Sequence, residues 1–334
     1  MAFSRTSHLN QTYFAGVSTS MRVFIPLTLL TLLVPLMACG GSSSGSSASS
    51  SSSGSSSSNT PPAGIPTFDP PGATKIAYGA DAKEFGDLRL PSQATFGAGP
   101  YPVAVVVHGG CWTSGVGDKT SSASLADALT KRGIATWNIE YRALGDSGGG
   151  YPGTFQDWSA ATNYVRTLAA TYPLDLSRVA IVGHSAGGHA ALWLTARGRI
   201  SAGKDLYTPN PLAIVATVDL DGPGELRAGT GYSGICGNAA DQLMGGTPDQ
   251  VPDRFAQASP SELLPLGVPQ YIVSATFIPL AAANRYRDMA MAKGDTVTII
   301  DQSHSGHFEM VTPGTAEEAQ VETTVVGILH PSGS

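Results

Sequence analysis

Ser185 sits in Gly183-His184-Ser185-Ala186-Gly187, between the apolar run RVAIV (178–182) and the helix-like stretch AALWLTARG. A serine at G-x-S-x-G, preceded by a strand and followed by a helix, is held on a tight turn with its hydroxyl raised above a sheet. That hydroxyl can attack an acyl carbon if a base takes its proton and N–H groups meet the developing oxyanion. The donors are expected in His108-Gly109-Gly110-Cys111-Trp112, which follows the strand-like YPVAVVV (101–107). Gly110 and Cys111, together with Ala186 just after the nucleophile, would form an oxyanion hole. His108 is expected to hold the loop rather than move protons, and Trp112 to pack it and border the substrate. Two histidines in DQSHSGHFEM, His304 and His307, are candidates for the base. His184 and His189 flank the nucleophile and read as structural.

These groups need a rigid frame. Short β-branched runs recur at 101–107, 133–139, 178–182, 212–218, 269–275 and 296–300, and helical stretches fall between several of them at 121–132, 155–172, 189–197 and 281–293. Continuous apolar strands alternating with helices predict an α/β fold, a mostly parallel sheet covered on both faces. Residues 74–90 could add antiparallel strands at one edge, and ligands of such sheets bind at the carboxyl ends of the strands. The segment 222–267, rich in Gly and Pro, reads as a small cap-like insertion that shapes the acyl pocket.

The motifs HGGCW and GHSAGGH, with GDLRLP (86–91), WNIEYR (137–142), GTFQD (153–157) and ASPSELLPLGVPQ (258–270), resemble the α/β-hydrolases, and more closely their esterase and kynurenine formamidase-like branch. The resemblance spans roughly residues 78–313 and implies the α/β-hydrolase fold and serine-dependent acyl transfer. Its frequent G-H-F ending favours His307 over His304. One position departs from the pattern. The family usually carries its acid in S-A-x-x-D, and here Ser274-Ala275-Thr276-Phe277-Ile278 puts an isoleucine in that place. Either catalysis is weakened or the acid has moved. The preceding strand ends in Asp219-Leu220-Asp221-Gly222-Pro223, and Asp221, nearer the sheet edge, is the expected acid with Asp219 the alternative. The reading that follows is a carboxylesterase working through an acyl-enzyme. An arylformamidase-like amide hydrolase, or a catalytically weakened binding protein on the same fold, is the alternative.

The 334 residues carry a net charge of −6 without a basic stripe, so nucleic acid is not an expected partner and a small-molecule ester is. No zinc-ligand spacing and no phosphate-cradling glycine motif occur, so no cofactor or metal is implied. Residues 1–39 read as a signal peptide ending in a lipobox, Leu36-Met37-Ala38-Cys39, with Cys39 the lipidated residue. Residues 40–66 read as a flexible Gly/Ser-rich linker, and 67–334 as the α/β-hydrolase domain. The expected location is the bacterial cell envelope, on the periplasmic face of the outer membrane, with Gly40 after the cysteine favouring outer-membrane sorting. Of three cysteines, the two left after Cys39 are Cys111 and Cys236. In an oxidising compartment they can pair, the alternatives being two buried thiols or a catalytic Cys111.

Overall fold

Every residue of Tyr101–Val107 is buried, as a strand covered on both faces requires. Side chains alternate across it. Val103, Val105 and Val107 join a core with Trp137, Trp158 and Trp193, while Ala104 and Val106 face a second core with Leu125, Leu129, Val321 and Val325. The computed structural model describes residues 69–227 and 236–330. Within them the sheet comprises β1 (Thr74–Ala77), β2 (Phe85–Arg89), β3 (Tyr101–Val107), β4 (Ala135–Ile139), β5 (Leu174–His184), β6 (Ala216–Leu220), β7 (Gln270–Ser274) and β8 (Val297–Asp301). Their order is β1-β2-β4-β3-β5-β6-β7-β8. The pairs β1/β2 and β2/β4 are antiparallel, as expected for the 74–90 edge, and all others are parallel. This is the α/β-hydrolase fold.

Helices cover both faces. Ala123–Thr130 and Ala316–Leu329 contribute Leu125, Leu129, Val321 and Val325 to one core. Gly153–Asn163, Ala186–Ala196 and Leu280–Ala292 contribute Phe155, Trp158, Trp193 and Tyr286 to the other. Two expectations about elements need correction, and one element was not expected. The helical stretch 155–172 divides into Gly153–Asn163 and Val165–Ala169. The strand read at 212–218 runs instead over Ala216–Leu220, so Asp219 lies within it and Asp221 just beyond. The terminal helix Ala316–Leu329 was not read at all, although Thr315 caps it by accepting from the Glu318 N–H at 3.1 Å.

The insertion at 222–267 contains the short helices Ala239–Met244 and Pro252–Ala258 and a 3₁₀ turn at Pro260–Leu263. Residues 228–235 of it lie outside the described residues, as do the expected signal peptide, Cys39 and the 40–66 linker. Cys111 and Cys236 form a disulfide with a Cα–Cα separation of 5.4 Å. It ties the loop after β3 to the insertion.

Candidate active site

The strand-to-helix turn raises Ser185 where β5 ends and helix Ala186–Ala196 begins. Ser185 has φ 59° and ψ −119°, a region that a residue with a Cβ seldom occupies. Such a conformation costs on the order of 1–3 kcal/mol and persists only where its surroundings impose it. Here the Ser185 N–H donates to the Leu220 carbonyl at 2.9 Å, pinning the turn to the end of β6. Close approach does the rest: a Cβ on Gly187 would stand 2.1 Å from the Val107 carbonyl oxygen, and one on Gly109 only 2.9 Å from the Ser185 Cβ. The helix start therefore packs tightly on the end of β3, and the HGG loop on the serine itself.

That loop carries three consecutive positive φ angles, 122° at Gly110, 50° at Cys111 and 56° at Trp112. Among the described residues, the N–H groups of Gly110, Cys111 and Ala186 have no hydrogen-bond acceptor. Three braces fix the loop. The His108 carbonyl accepts from the Tyr141 hydroxyl at 3.0 Å, and the two rings stack at 4.3 Å. The Trp112 indole N–H donates to His189 Nδ1 at 3.2 Å, and the disulfide holds Cys111. His108 thus holds the loop as expected, its Nε2 lying 3.3 Å from Glu140 Oε1. Burial pushes the Glu140 carboxyl pKa up, but the His108 imidazole and the Lys83 ammonium outweigh it and bring it down to about 2. Trp112 corrects one expectation. Only 1% of it is exposed, so it packs the loop and offers no face to a substrate.

His307 Nδ1 lies 2.7 Å from Asp221 Oδ2. A carboxylate can only accept, so Nδ1 carries the proton and Nε2 is the ring's acceptor nitrogen. The ring is wedged between Phe277 and Phe308, each 4.9 Å away, and the His307 carbonyl accepts from His184 Nε2 at 2.7 Å. That bond fastens the base to the neighbour of Ser185. Burial, then the charge of His307, depresses the His184 pKa well below the usual range, which keeps this imidazole neutral. His304 is not brought to the site; its side chain is 72% exposed and faces Glu317.

Asp221 is fully buried at φ 56°. Its Oδ1 accepts from the Ala275 and Ile278 N–H groups at 2.9 and 2.8 Å, and its Oδ2 from the Phe277 N–H at 2.9 Å. The segment in which the resemblance placed an acid thus supplies three backbone donors to an acid arriving from the adjacent strand. Ile278 points into the core at 4% exposure and does its work through its N–H. Asp219, the alternative, does not reach His307. It is buried with Oδ1 accepting from the Gly222 N–H at 2.8 Å.

Sequence reasoning did not single out Arg142 and Asp157, although both fall in motifs that carried the resemblance. Arg142 meets the Asp157 carboxylate through its backbone N–H, Nε and Nη2 at 2.9, 2.9 and 2.5 Å, which fastens the segment after β4 to helix Gly153–Asn163. Their separation in sequence hid the pairing. Among the described residues no group of three or more His, Cys, Asp or Glu is arranged to hold a metal ion.

The sheet, with Ser185 on a strained turn after β5, Asp221 after β6, His307 after β8 and unpaired N–H groups after β3, defines the α/β-hydrolase class. The BD-FAE family model matches residues 87–274, more than half of the chain, and the chain belongs to that family. It is 33% identical over 124 residues, 37% of this chain, to a probable isoprenylcysteine alpha-carbonyl methylesterase of Arabidopsis thaliana, and the match covers 25% of that protein. It is 32% identical over 105 residues, 31% of this chain, to a carboxylesterase of Mycobacterium tuberculosis, of which 32% is covered. The chain thus spans about a quarter to a third of the curated relatives it matches. Its fold is similar to that of a carbohydrate esterase from gut microbiota (TM-score 0.63, 22% identity, covering 76% of this chain and 94% of that one). It is also similar to a thermophilic esterase of Thermogutta terrifontis (TM-score 0.62, 18% identity, covering 79% and 96%).

Proposed function

We propose that this protein is a serine hydrolase that cleaves small carboxylic esters through an acyl-enzyme. The observation that carries the reading is the 2.7 Å contact between His307 and Asp221, made beside a strained serine although Ile278 stands where the family acid is expected. Ser185 Oγ attacks the acyl carbon while His307 Nε2 takes its proton. The N–H groups of Gly110, Cys111 and Ala186 hold the oxyanion, and Asp221 steadies the imidazolium. The tetrahedral adduct collapses as His307 returns the proton to the departing alkoxide. Water, deprotonated by the same nitrogen, then releases the acid and frees the serine. Ile278 is the one feature favouring a non-catalytic protein, and the Asp221 carboxylate 2.7 Å from His307 weighs against that alternative.

The test is hydrolysis of p-nitrophenyl acetate and butyrate by the full chain, beside Ser185→Ala, with an N-formyl anilide in parallel. Serine-dependent ester turnover is expected, with a burst of p-nitrophenol matching the enzyme concentration where deacylation is slow. Equal inertness of both proteins refutes the reading, and turnover of the anilide alone makes the enzyme an amide hydrolase. The proposal extends to export and tethering in the bacterial cell envelope by lipid on Cys39, supported by the composition of residues 1–66. Membrane association that survives Cys39→Ser would overturn that part.

A further inference from the structure

Asp219 is a buried titratable group that this mechanism leaves unused. It lies in β6 two residues before the triad acid, 1% exposed. One oxygen accepts from the Gly222 N–H at 2.8 Å, and Oδ2 has no partner among the described residues. A buried carboxylate with an unsatisfied oxygen is costly, and such a group calls for an explanation.

The geometry around it supplies one. The Asp219–Gly222 bond closes a short turn that contains Asp221. Asp221 needs such a closure because it sits at φ 56°, outside the regions a residue with a Cβ adopts freely. The turn is also fixed to the nucleophile, since a Cβ on Gly222 would stand 2.4 Å from the Ser185 carbonyl oxygen. We propose that Asp219 is a positioning residue that locks the 219–222 turn and thereby aims the Asp221 carboxylate at His307. This rests on reading Ser185, His307 and Asp221 as a triad.

Asp219 performs this task as a neutral carboxylic acid. Its Oδ1 is the carbonyl that accepts from Gly222, and Oδ2 carries the proton. Burial is the main cause that pushes its pKa well above the carboxylate range, and the negative charge of Asp221 adds to it. Among the described residues no cation offsets them. Tyr286, on helix Leu280–Ala292, donates its hydroxyl to Gln270 at 2.9 Å. Arg285 and Glu225 line the same cavity but pair with each other at 2.8 Å. From the other side comes Gly188, which has no side chain. The cavity beside Asp219 measures about 20 Å³, room for one water, which would accept a hydrogen bond from Oδ2–H.

The neutral form makes a distinctive prediction. Asparagine reproduces it, with Oδ1 as acceptor and the amide N–H₂ in place of Oδ2–H, whereas alanine removes the tie. In the full chain, Asp219→Asn should retain the wild-type kcat on p-nitrophenyl butyrate. Asp219→Ala should lose roughly 10- to 100-fold in kcat with little change in KM, the expected penalty for a slightly misaimed acid. A second readout is independent of activity. Unfolding exposes Asp219 and releases its proton at any pH above about 4, so the wild type loses stability as pH rises from there. Asp219→Asn has no such proton, and its melting temperature should gain on the wild type between pH 4 and pH 8. Asp219→Asn as inactive as Asp221→Asn would overturn the proposal, as would a wild-type kcat in Asp219→Ala or a melting-temperature gap that ignores pH. If the wild type itself shows no Ser185-dependent turnover, the triad reading fails, and the melting comparison still decides the protonation of Asp219. Should Asp219→Ala fail to fold, the retention of kcat by asparagine remains the deciding result.

Discussion

Asp221→Asn tests the relocated acid most directly, because the consequences can be worked atom by atom. The asparagine carbonyl replaces Oδ1 and keeps the bonds from Ala275 and Ile278. Its amide nitrogen replaces Oδ2, and there it meets two donors, the Phe277 N–H and His307 Nδ1–H. One buried N–H is stranded, which costs roughly 1–3 kcal/mol of stability. The imidazole must turn or take the other tautomer, with its proton on Nε2, where it can no longer accept one from Ser185. Loss of the acid's orienting role typically lowers turnover by about 10⁴, equivalent to roughly 5.5 kcal/mol in the barrier. Asp221→Ala strands all three loop donors, so its stability should fall further than that of Asp221→Asn. The assay is kcat on p-nitrophenyl butyrate between pH 6 and 9, normalised to folded protein by circular dichroism, with urea unfolding alongside. An Asp221→Asn enzyme within about tenfold of wild type would mean that another group serves His307, and the reasoning from the 2.7 Å contact would fail.

Two further perturbations report on the oxyanion loop. The Cys111–Cys236 bridge closes a sequence separation of 125 residues, and Cys236→Ser should lower stability by about 2–4 kcal/mol, the usual range for such a bond; on the proposed mechanism, in which the Cys111 N–H meets the oxyanion, kcat should fall with it, and an unchanged kcat would show that Trp112 and His108 suffice to hold the loop. His189 is buried and neutral, accepting from Trp112 on Nδ1 and donating to the Ala258 carbonyl through Nε2 at 2.8 Å. Burial depresses its pKa from 6.5 to about 4. A depressed histidine takes up its proton on unfolding, so its contribution is fully present above pH 6.5 and is lost as pH falls toward 4, roughly 3 kcal/mol in all. The melting temperature of His189→Gln should therefore fall less steeply than that of the wild type between pH 6.5 and 4, and parallel slopes would refute the assignment.

Much of this architecture was legible in the sequence because its signals are local. Tyr101–Val107 carries four valines and Gln270–Ser274 an apolar Tyr-Ile-Val centre, and G-x-S-x-G and HGG each act within five residues. What stayed hidden depends on distance in the chain. The 155–172 stretch reads as one helix because Tyr164 is a permissible helical residue, and nothing local announces the break. Trp112 sits in the HGGCW loop, yet the partner of its indole N–H is His189, which lies 77 residues away. The terminal helix is the opposite case: Thr315-Ala316-Glu317-Glu318 carries a capping signal that local reading could have caught.

The position of the acid shows why residue identity at one site is weak evidence of lost chemistry. The physical requirement is a carboxylate oxygen near His307 Nδ1, with its remaining lone pairs satisfied and water excluded. Neighbouring parallel strands end side by side, so the tips of β6 and β7 can both meet that requirement. With the acid at the end of β6, the loop after β7 is free to contribute backbone N–H groups, and side chains there need only be apolar. Ile278 satisfies that condition, donating its N–H to the carboxylate while its side chain fills the core. An aspartate placed there beside Asp221 would bring two carboxylates into one buried site, where one would be forced to take up a proton. The isoleucine is therefore consistent with an intact triad served from the adjacent strand, and Ile278→Asp should impair turnover rather than improve it. A gain in kcat from that substitution would show that β7 remains the better source of the acid.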